Sequence, residues 1–127
     1  MRPLRSLTAV VAGFGFTITA GMVGTRLVGA ILIAAGMLSA YVAASLAVSA
    51  MAAVLGGWLT GRIAGFAPFR HSLALAAVLA VLTALAMSAG TPEGQPAWYA
   101  AAVGSLGVVG VLVGGWLRSA AAGVSAP

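Results

Sequence analysis

The side chains that could carry out acid–base chemistry are few in this sequence and lie far apart. Among 127 residues the chain has six arginines, a single acidic residue, Glu93, and a single histidine, His71. General acid–base catalysis needs a donor and an acceptor within hydrogen-bond reach of one substrate. Glu93 falls in the stretch GTPEGQP, where glycine and proline favour a loop, so we expect a solvated carboxylate without a catalytic partner. The sequence therefore predicts a protein that is not an enzyme.

His71 and Arg26 are the two other side chains whose positions invite a functional interpretation. Imidazole is a common protein ligand of haem iron and other metals, so His71 is the candidate ligand for a haem or pigment. It also follows Arg70 at the start of a predicted helix, where a polar residue suits a membrane interface. Without cysteine or paired ligands, we predict no metal and no bound cofactor. Arg26 is flanked by apolar residues on both sides, and it either snorkels to a membrane surface or has a functional role.

Three hydroxyl-bearing side chains repeat at helical spacing in the middle of the chain. Tyr41, Ser45 and Ser49 are four residues apart, which places them on one face of a helix. Such a line could border a polar path for a solute, or it could supply hydrogen bonds between helices. Phosphate-binding, dinucleotide-binding and nucleophile–base patterns are missing from the sequence.

The elements that must position these residues are membrane helices. Hydrophobic residues make up 62% of the chain and charged residues 6%, whereas a soluble domain carries about a quarter charged residues. Too few charges exist to cover a water-exposed surface, so the lipid bilayer is the expected surrounding medium. The net charge of +5 comes from arginines spread over the whole chain rather than from a basic stripe, which argues against a nucleic-acid partner.

Four spans account for the apolar stretches, because about 20 helical residues cross the hydrocarbon core. We predict one domain over residues 1–127, with a loop at 90–97, a tail at 118–127 and helices at 6–33, 39–62, 71–89 and 98–117. The first turn falls near 34–39, with 21–26 as the competing choice. The N-terminus resembles a signal peptide, but the apolar character continues beyond it, which favours a retained first helix.

The arginines predict the orientation of these spans. An even number of spans places both termini on one side, and that side collects five arginines: Arg2, Arg5, Arg62, Arg70 and Arg118. Arg26 falls on the opposite side. By the positive-inside rule, both termini are expected to be cytoplasmic.

The phrase GGWL occurs twice, at residues 56–59 and 114–117, at the end of the second and fourth predicted helices. Tryptophan and arginine suit the membrane interface, so we predict a set of interface anchors. These are Trp58, Arg62, Arg70, Trp98, Trp116 and Arg118. The repetition suggests a two-helix hairpin duplicated in parallel, as in some transporters, or one interface requirement met twice.

Glycines near these phrases form stripes that predict close helix packing. Small residues let helix backbones approach each other in lipid. The stripe on the second helix is Gly57, Gly61 and Gly65, and that on the fourth is Gly104, Gly107, Gly110 and Gly114. We expect these two helices to pack closely, within one subunit or between subunits.

The segments AVLGGWLTGRIAG, FRHSLALA, PAWYAAAV and LVGGWLR resemble those of a loose group of small bacterial membrane proteins with four predicted helices and no assigned reaction. The resemblance implies the later first turn, cytoplasmic termini and a location in the inner membrane of a bacterial cell, and it implies no ligand.

From these observations we expect an all-α, integral membrane four-helix bundle. It would act as an assembly or accessory subunit, packing with itself as a homo-oligomer or with a larger membrane complex. The alternatives are a small transporter or channel with a pathway between subunits, and a haem- or pigment-associated subunit that uses His71.

Overall fold

A computed structural model describes residues 2–123, and every regular element in that range is a helix. Helix α1 spans Arg2–Ala34, α2 Tyr41–Ala64, α3 Pro68–Ser88 and α4 Tyr99–Ala121, with a short 3₁₀ helix at Leu38–Ala40 before α2. All four α-helices are long and apolar enough to cross a membrane. The predicted all-α architecture of four apolar helices is confirmed.

The helix ends differ from the predicted bounds by a few residues. The first turn lies after Ala34, where Gly36 has a φ of 71°, and the competing position at 21–26 is helical within α1. Helix α3 begins at Pro68 rather than at residue 71, because proline at the first turn sacrifices no intrahelical hydrogen bond. Helix α4 continues through residues predicted as tail, as far as Ala121. The rest of the predicted tail, 124–127, lies outside the described residues.

The helices follow the order α1, α2, α4, α3 around the bundle. Helices α2 and α4 form the central pair, α1 packs on α2, and α3 packs on α4. Near its N-terminal end α1 also meets α3, where Val10 and Phe14 pack against a buried cluster that includes Leu75. The order leaves α1 and α4 diagonally opposite, and it brings α1 and α3 onto the same side of the central pair.

The interior is made of small residues and the surface of large apolar ones. Buried hydrophobic positions are mostly alanine, with Leu75 and Val111 as the largest fully buried apolar side chains. Leucine, isoleucine and valine side chains stay exposed along all four helices, as Ile31 and Leu85 do. Lipid is as apolar as these side chains, so burying them gains nothing, and close contact between backbones drives association instead.

Glycines of α2 and α4 make the closest backbone contact in the bundle. A Cβ added at Gly57 would lie 2.7 Å from the Val111 Cα, and one at Gly114 would lie 2.8 Å from the Trp58 nitrogen. A Cβ at Gly110 would lie 2.8 Å from the Ala53 Cβ. The structure therefore packs α2 against α4 within one chain, through backbone surfaces that tolerate no side chain.

Helices α1 and α2 use a reciprocal glycine–threonine arrangement that the sequence analysis missed. A Cβ at Gly13 would overlap the Thr60 hydroxyl, and a Cβ at Gly56 would overlap the Thr17 hydroxyl. Each threonine donates to the carbonyl of the glycine four residues earlier on its own helix, at 2.8 Å for both. The signal was present as G-x-x-x-T on both helices, and antiparallel packing places each glycine opposite the other helix's threonine.

Gly61 lies against Arg118 of α4, but three other glycines assigned to the stripes do not contact the helix that was predicted for them. Gly61 faces Pro68 and the Arg118 side chain, while Gly104 faces Thr83 of α3 instead of α2. Gly107 has room for a side chain. Gly65 caps the C-terminal end of α2 with a φ of 72°. One helical stripe spans more than one neighbour, because three- and four-residue steps drift around the helix axis.

The two copies of GGWL meet different neighbours. Gly56 faces α1 and Gly57 faces α4, whereas Gly114 faces α2 and Gly115 faces Ser72 of α3. If a rotation related two duplicated hairpins, equivalent glycines of the two phrases would face equivalent helices. The geometry around the two phrases thus adds no support for a duplicated hairpin.

Candidate functional site

A cavity lies between α1 and α3, beyond the point where these two helices meet. Its volume is about 560 Å³, within the range of roughly 300–1,000 Å³ that is usual for small-molecule pockets. Helices α1 and α3 form its two sides, and the central pair α2 and α4 forms its floor. All four helices and the loop before α4 therefore contribute to one site.

Most of the cavity wall is apolar and reaches the exposed surface of the bundle. The apolar lining includes Ile18, Met22, Leu79, Leu82 and Val103. Ile18, Met22 and Leu82 are themselves exposed, so the cavity is a groove open along the side of the bundle rather than an enclosed chamber.

Polar groups gather at the end of the cavity that is remote from the chain termini. Arg26 of α1, Tyr41 of α2, Gln95 of the loop and Tyr99 of α4 line this end, and Ser49 lies two turns farther along α2 than Tyr41. The side chains of Arg26, Tyr41 and Ser49 make no hydrogen bond or ion pair with any residue between 2 and 123. They are available to a bound molecule.

The predicted hydroxyl line divides between this cavity and a helix contact. Tyr41 and Ser49 line the cavity, but Ser45 is fully buried and lies 3.0 Å from the Tyr99 hydroxyl. Ser45 donates its proton to the Val42 carbonyl at 2.9 Å, so the Tyr99 hydroxyl donates to Ser45. The interaction joins α2 to α4, and Ser45 does not belong to the path.

Two threonines that border the cavity use their hydroxyl protons within their own helices. Thr17 donates to the Gly13 carbonyl and Thr83 to the Leu79 carbonyl, each at 2.8 Å. Their hydroxyls are satisfied by their own helices, as is usual for threonine inside a helix. The polarity available to a ligand therefore stays at the Arg26 end.

His71 lies at the opposite end of the bundle, where both its ring nitrogens already have partners. Nδ1 lies 3.0 Å from the Ala67 carbonyl and Nε2 lies 2.9 Å from the Ser6 hydroxyl, while the ring meets Phe66 edge-on. In the neutral ring Nδ1 donates to Ala67 and Nε2 accepts from Ser6, because a carbonyl can only accept. The candidate haem or pigment ligand thus has no free nitrogen, and this geometry gives it a structural role between α1 and α3.

Replacing His71 by alanine is expected to destabilise the bundle by about 1–3 kcal/mol, because one partly buried interhelical hydrogen bond and the ring contact are lost. Ser6→Ala, which keeps the ring, should cost less. Unfolding by a denaturing detergent, followed by circular dichroism, measures both. Equal stability of wild type and His71→Ala would contradict the structural role, as would a haem absorption band lost with the histidine.

The predicted interface anchors sit at both ends of the bundle. The Arg62 guanidinium carbon stacks 5.2 Å from the Trp58 ring centre, Trp116 is exposed, and Arg70 is exposed at the start of α3. Arg118 packs its stem on Gly61. Trp98 lies at the other end, edge-on to Tyr99 with 6.2 Å between ring centres.

Arg5 is a contact at the arginine-rich end that the sequence analysis did not single out. Its Nε donates to the Ile63 carbonyl at 2.9 Å, close to the cap residue Gly65. A cation at a helix C-terminus satisfies orphan carbonyls and complements the helix dipole. Arg5 thereby ties the start of α1 to the end of α2.

Within residues 2–123 no three histidine, cysteine or acidic side chains come together as a metal site. Comparison of the chain with protein-family models, curated proteins and solved structures finds no match. The resemblance to small four-helix bacterial membrane proteins therefore stays a prediction, and the cavity is interpreted from its own residues.

Proposed function

We propose that this protein is a non-enzymatic integral membrane protein that binds an amphipathic molecule in the cavity between α1 and α3. The observation that carries the proposal is the distribution of polar groups in the site. The lining is apolar along most of its length and polar at the Arg26 end. An amphipathic molecule has the same division. The open side of the groove allows entry from lipid, so the molecule need not leave the bilayer to bind.

The volume limits the size of the ligand. A site of about 560 Å³ matches a drug-sized molecule or one acyl chain with a small head. This function is closest to the small transporter of the sequence analysis, with the site inside one chain instead of between subunits. We propose a protein that holds or hands over a single-chain amphiphile.

We also propose that both termini are cytoplasmic, in the inner membrane of a bacterial cell. Four arginines lie at one end of the bundle: Arg5, which contacts the end of α2, and Arg62, Arg70 and Arg118. Arg26 lies toward the other end. The positive-inside rule assigns the arginine-rich end to the cytoplasm. The polar end of the cavity then faces the outer leaflet.

Assembly through helix packing, with itself or with a larger complex, stays a prediction. The glycines that make close contacts are used inside the chain, at the α1–α2, α2–α4 and α3–α4 contacts. An oligomer would therefore use other surfaces. The duplicated hairpin likewise remains a prediction that depends on the repeated GGWL phrase.

Filling the cavity tests the proposed function. Gly21 and Gly107 both line it, and a Cβ added at either would meet its nearest neighbour at 3.9 Å and 4.0 Å, an ordinary contact. Gly21→Leu and Gly107→Leu are expected to occupy the groove, to leave stability within about 1 kcal/mol of wild type, and to reduce bound amphiphile several-fold. Gently extracted protein is analysed for co-purified lipid by native mass spectrometry.

Gly15→Leu is the matched control, because Gly15 is also inside α1 but has nothing within 4 Å of an added Cβ. It should retain the wild-type amount of bound amphiphile. Equal retention by the control and by both filled variants would mean that the cavity is not the binding site, and the proposed function would be wrong.

A further inference from the structure

We infer that the molecule bound in the cavity is an anionic single-chain amphiphile, whose negatively charged head pairs with Arg26. This inference rests on the proposed function and names the class of its ligand. Its starting point is the position of Arg26, the only charged side chain that the described part of the chain places in the cavity wall.

Arg26 lies well inside an apolar helix rather than at its tip. Helix α1 continues for eight residues to Ala34, which is about 12 Å at a rise of 1.5 Å per residue. The exposed side chains in that segment include Leu27, Ile31 and Ile33. Arg26 is itself exposed, and along the helix it is bordered by exposed apolar side chains on both sides.

Charged side chains within membrane helices usually pair with one another, with backbone carbonyls or with a charged ligand. Glu93, the only acidic residue of the chain, lies in the exposed loop before α4 and makes no ion pair with Arg26. Neither does Arg26 bond to any other residue within the range 2–123. The protein thus leaves its one cavity-lining charge unneutralised, and an anion carried by the ligand completes the site.

The groups around Arg26 suit the oxygens of a carboxylate or a phosphate. The free Tyr41 hydroxyl and the Gln95 amide line the same end and can both donate hydrogen bonds. A guanidinium adds a bidentate fork that fits carboxylate and phosphate oxygens. The chain of the amphiphile would follow the apolar wall past Met22 and Leu79.

The test uses full-length, delipidated protein in a neutral maltoside detergent. Thermal unfolding midpoints are measured against increasing concentrations of four probes, because a ligand that binds the folded state raises the midpoint. Three probes share one acyl chain and differ in the head: a fatty acid, a lysophosphatidic acid and an uncharged monoacylglycerol. The fourth probe is inorganic phosphate, which has the charge without the chain.

We expect the fatty acid, the lysophosphatidic acid or both to bind about tenfold or more tightly than the monoacylglycerol, since hydrogen bonds to charged groups are stronger than neutral ones. Arg26→Gln should remove that preference and leave monoacylglycerol binding unchanged. Arg26→Lys should restore part of it, because the charge remains and the fork is lost. Arg70→Gln removes an exposed arginine outside the cavity and should behave as wild type.

The outcomes separate this inference from the proposed function. If all three chain-bearing probes bind equally and Arg26→Gln changes nothing, the ligand is amphipathic but not anionic, and only this inference is overturned. If no chain-bearing probe binds wild type, the proposed function fails with it. If inorganic phosphate binds as tightly as the lysophosphatidic acid, the site takes a free anion, which overturns the amphiphile.

Discussion

Replacing Gly114 by leucine is expected to destabilise the bundle by about 3 kcal/mol or more, the largest effect of any single substitution considered for this chain. A Cβ at Gly114 would lie 2.8 Å from the Trp58 nitrogen and 2.9 Å from the Val54 carbonyl carbon, both backbone atoms of α2. Backbone cannot move aside as a flexible side chain can, so α4 must separate from α2. Unfolding in a denaturing detergent, monitored by circular dichroism, measures the loss.

Gly15→Leu again supplies the control, because it adds the same side chain at a helical glycine with open space around it. We expect its stability to equal or exceed that of wild type, since leucine is a better helix former than glycine. If Gly114→Leu unfolds at the same detergent concentration as this control, the α2–α4 contact described here is wrong.

The second large effect concerns the reciprocal contact of α1 and α2. Gly56→Ala is expected to cost about 1–3 kcal/mol, because the new methyl group overlaps the Thr17 hydroxyl. Thr17→Ala removes that hydroxyl and leaves a Cβ contact of 3.1 Å, which small shifts can relieve. The double variant should therefore be more stable than the sum of the single effects predicts, with a coupling of about 0.5–3 kcal/mol.

The second glycine–threonine pair of the α1–α2 contact, Gly13 and Thr60, allows the same experiment to be repeated. Gly13→Ala and Thr60→Ala should show the same coupling, because Gly13 faces Thr60 as Gly56 faces Thr17. If the stability changes of the single variants are strictly additive within both facing pairs, the two glycines do not pack against the threonines of the opposite helix.

The cavity was only partly foreseeable from residue patterns. Tyr41 and Ser49 were predicted as part of a polar path, and Arg26 was singled out as a charge between apolar segments; all three line the cavity. Ser45 shares their helical spacing, yet it bonds to Tyr99 instead. Helical spacing places side chains on one face of a helix, but it does not say which neighbour that face meets.

His71 illustrates the same limit at the other end of the bundle. Its type suggested a ligand, and its place beside Arg70 suggested a helix start. The contact that decides its role comes from Ser6, which is 65 residues away along the chain. No local pattern announces a partner at that separation, because it depends on α1 and α3 meeting at one end.

The sequence by itself determined that this chain forms four apolar helices, where their loops fall and which ends carry arginine. These features follow from composition and local propensity, since lipid requires long helices with satisfied backbones whatever their partners are. The tertiary structure decided which glycine faces which helix, and it decided that α1 and α3 leave a cavity between them. The physical reason is that all faces of these helices are apolar, so no hydrophobic stripe marks the inward side. Rotation about each axis is set by backbone contacts between helices, and those contacts exist only once the bundle is assembled.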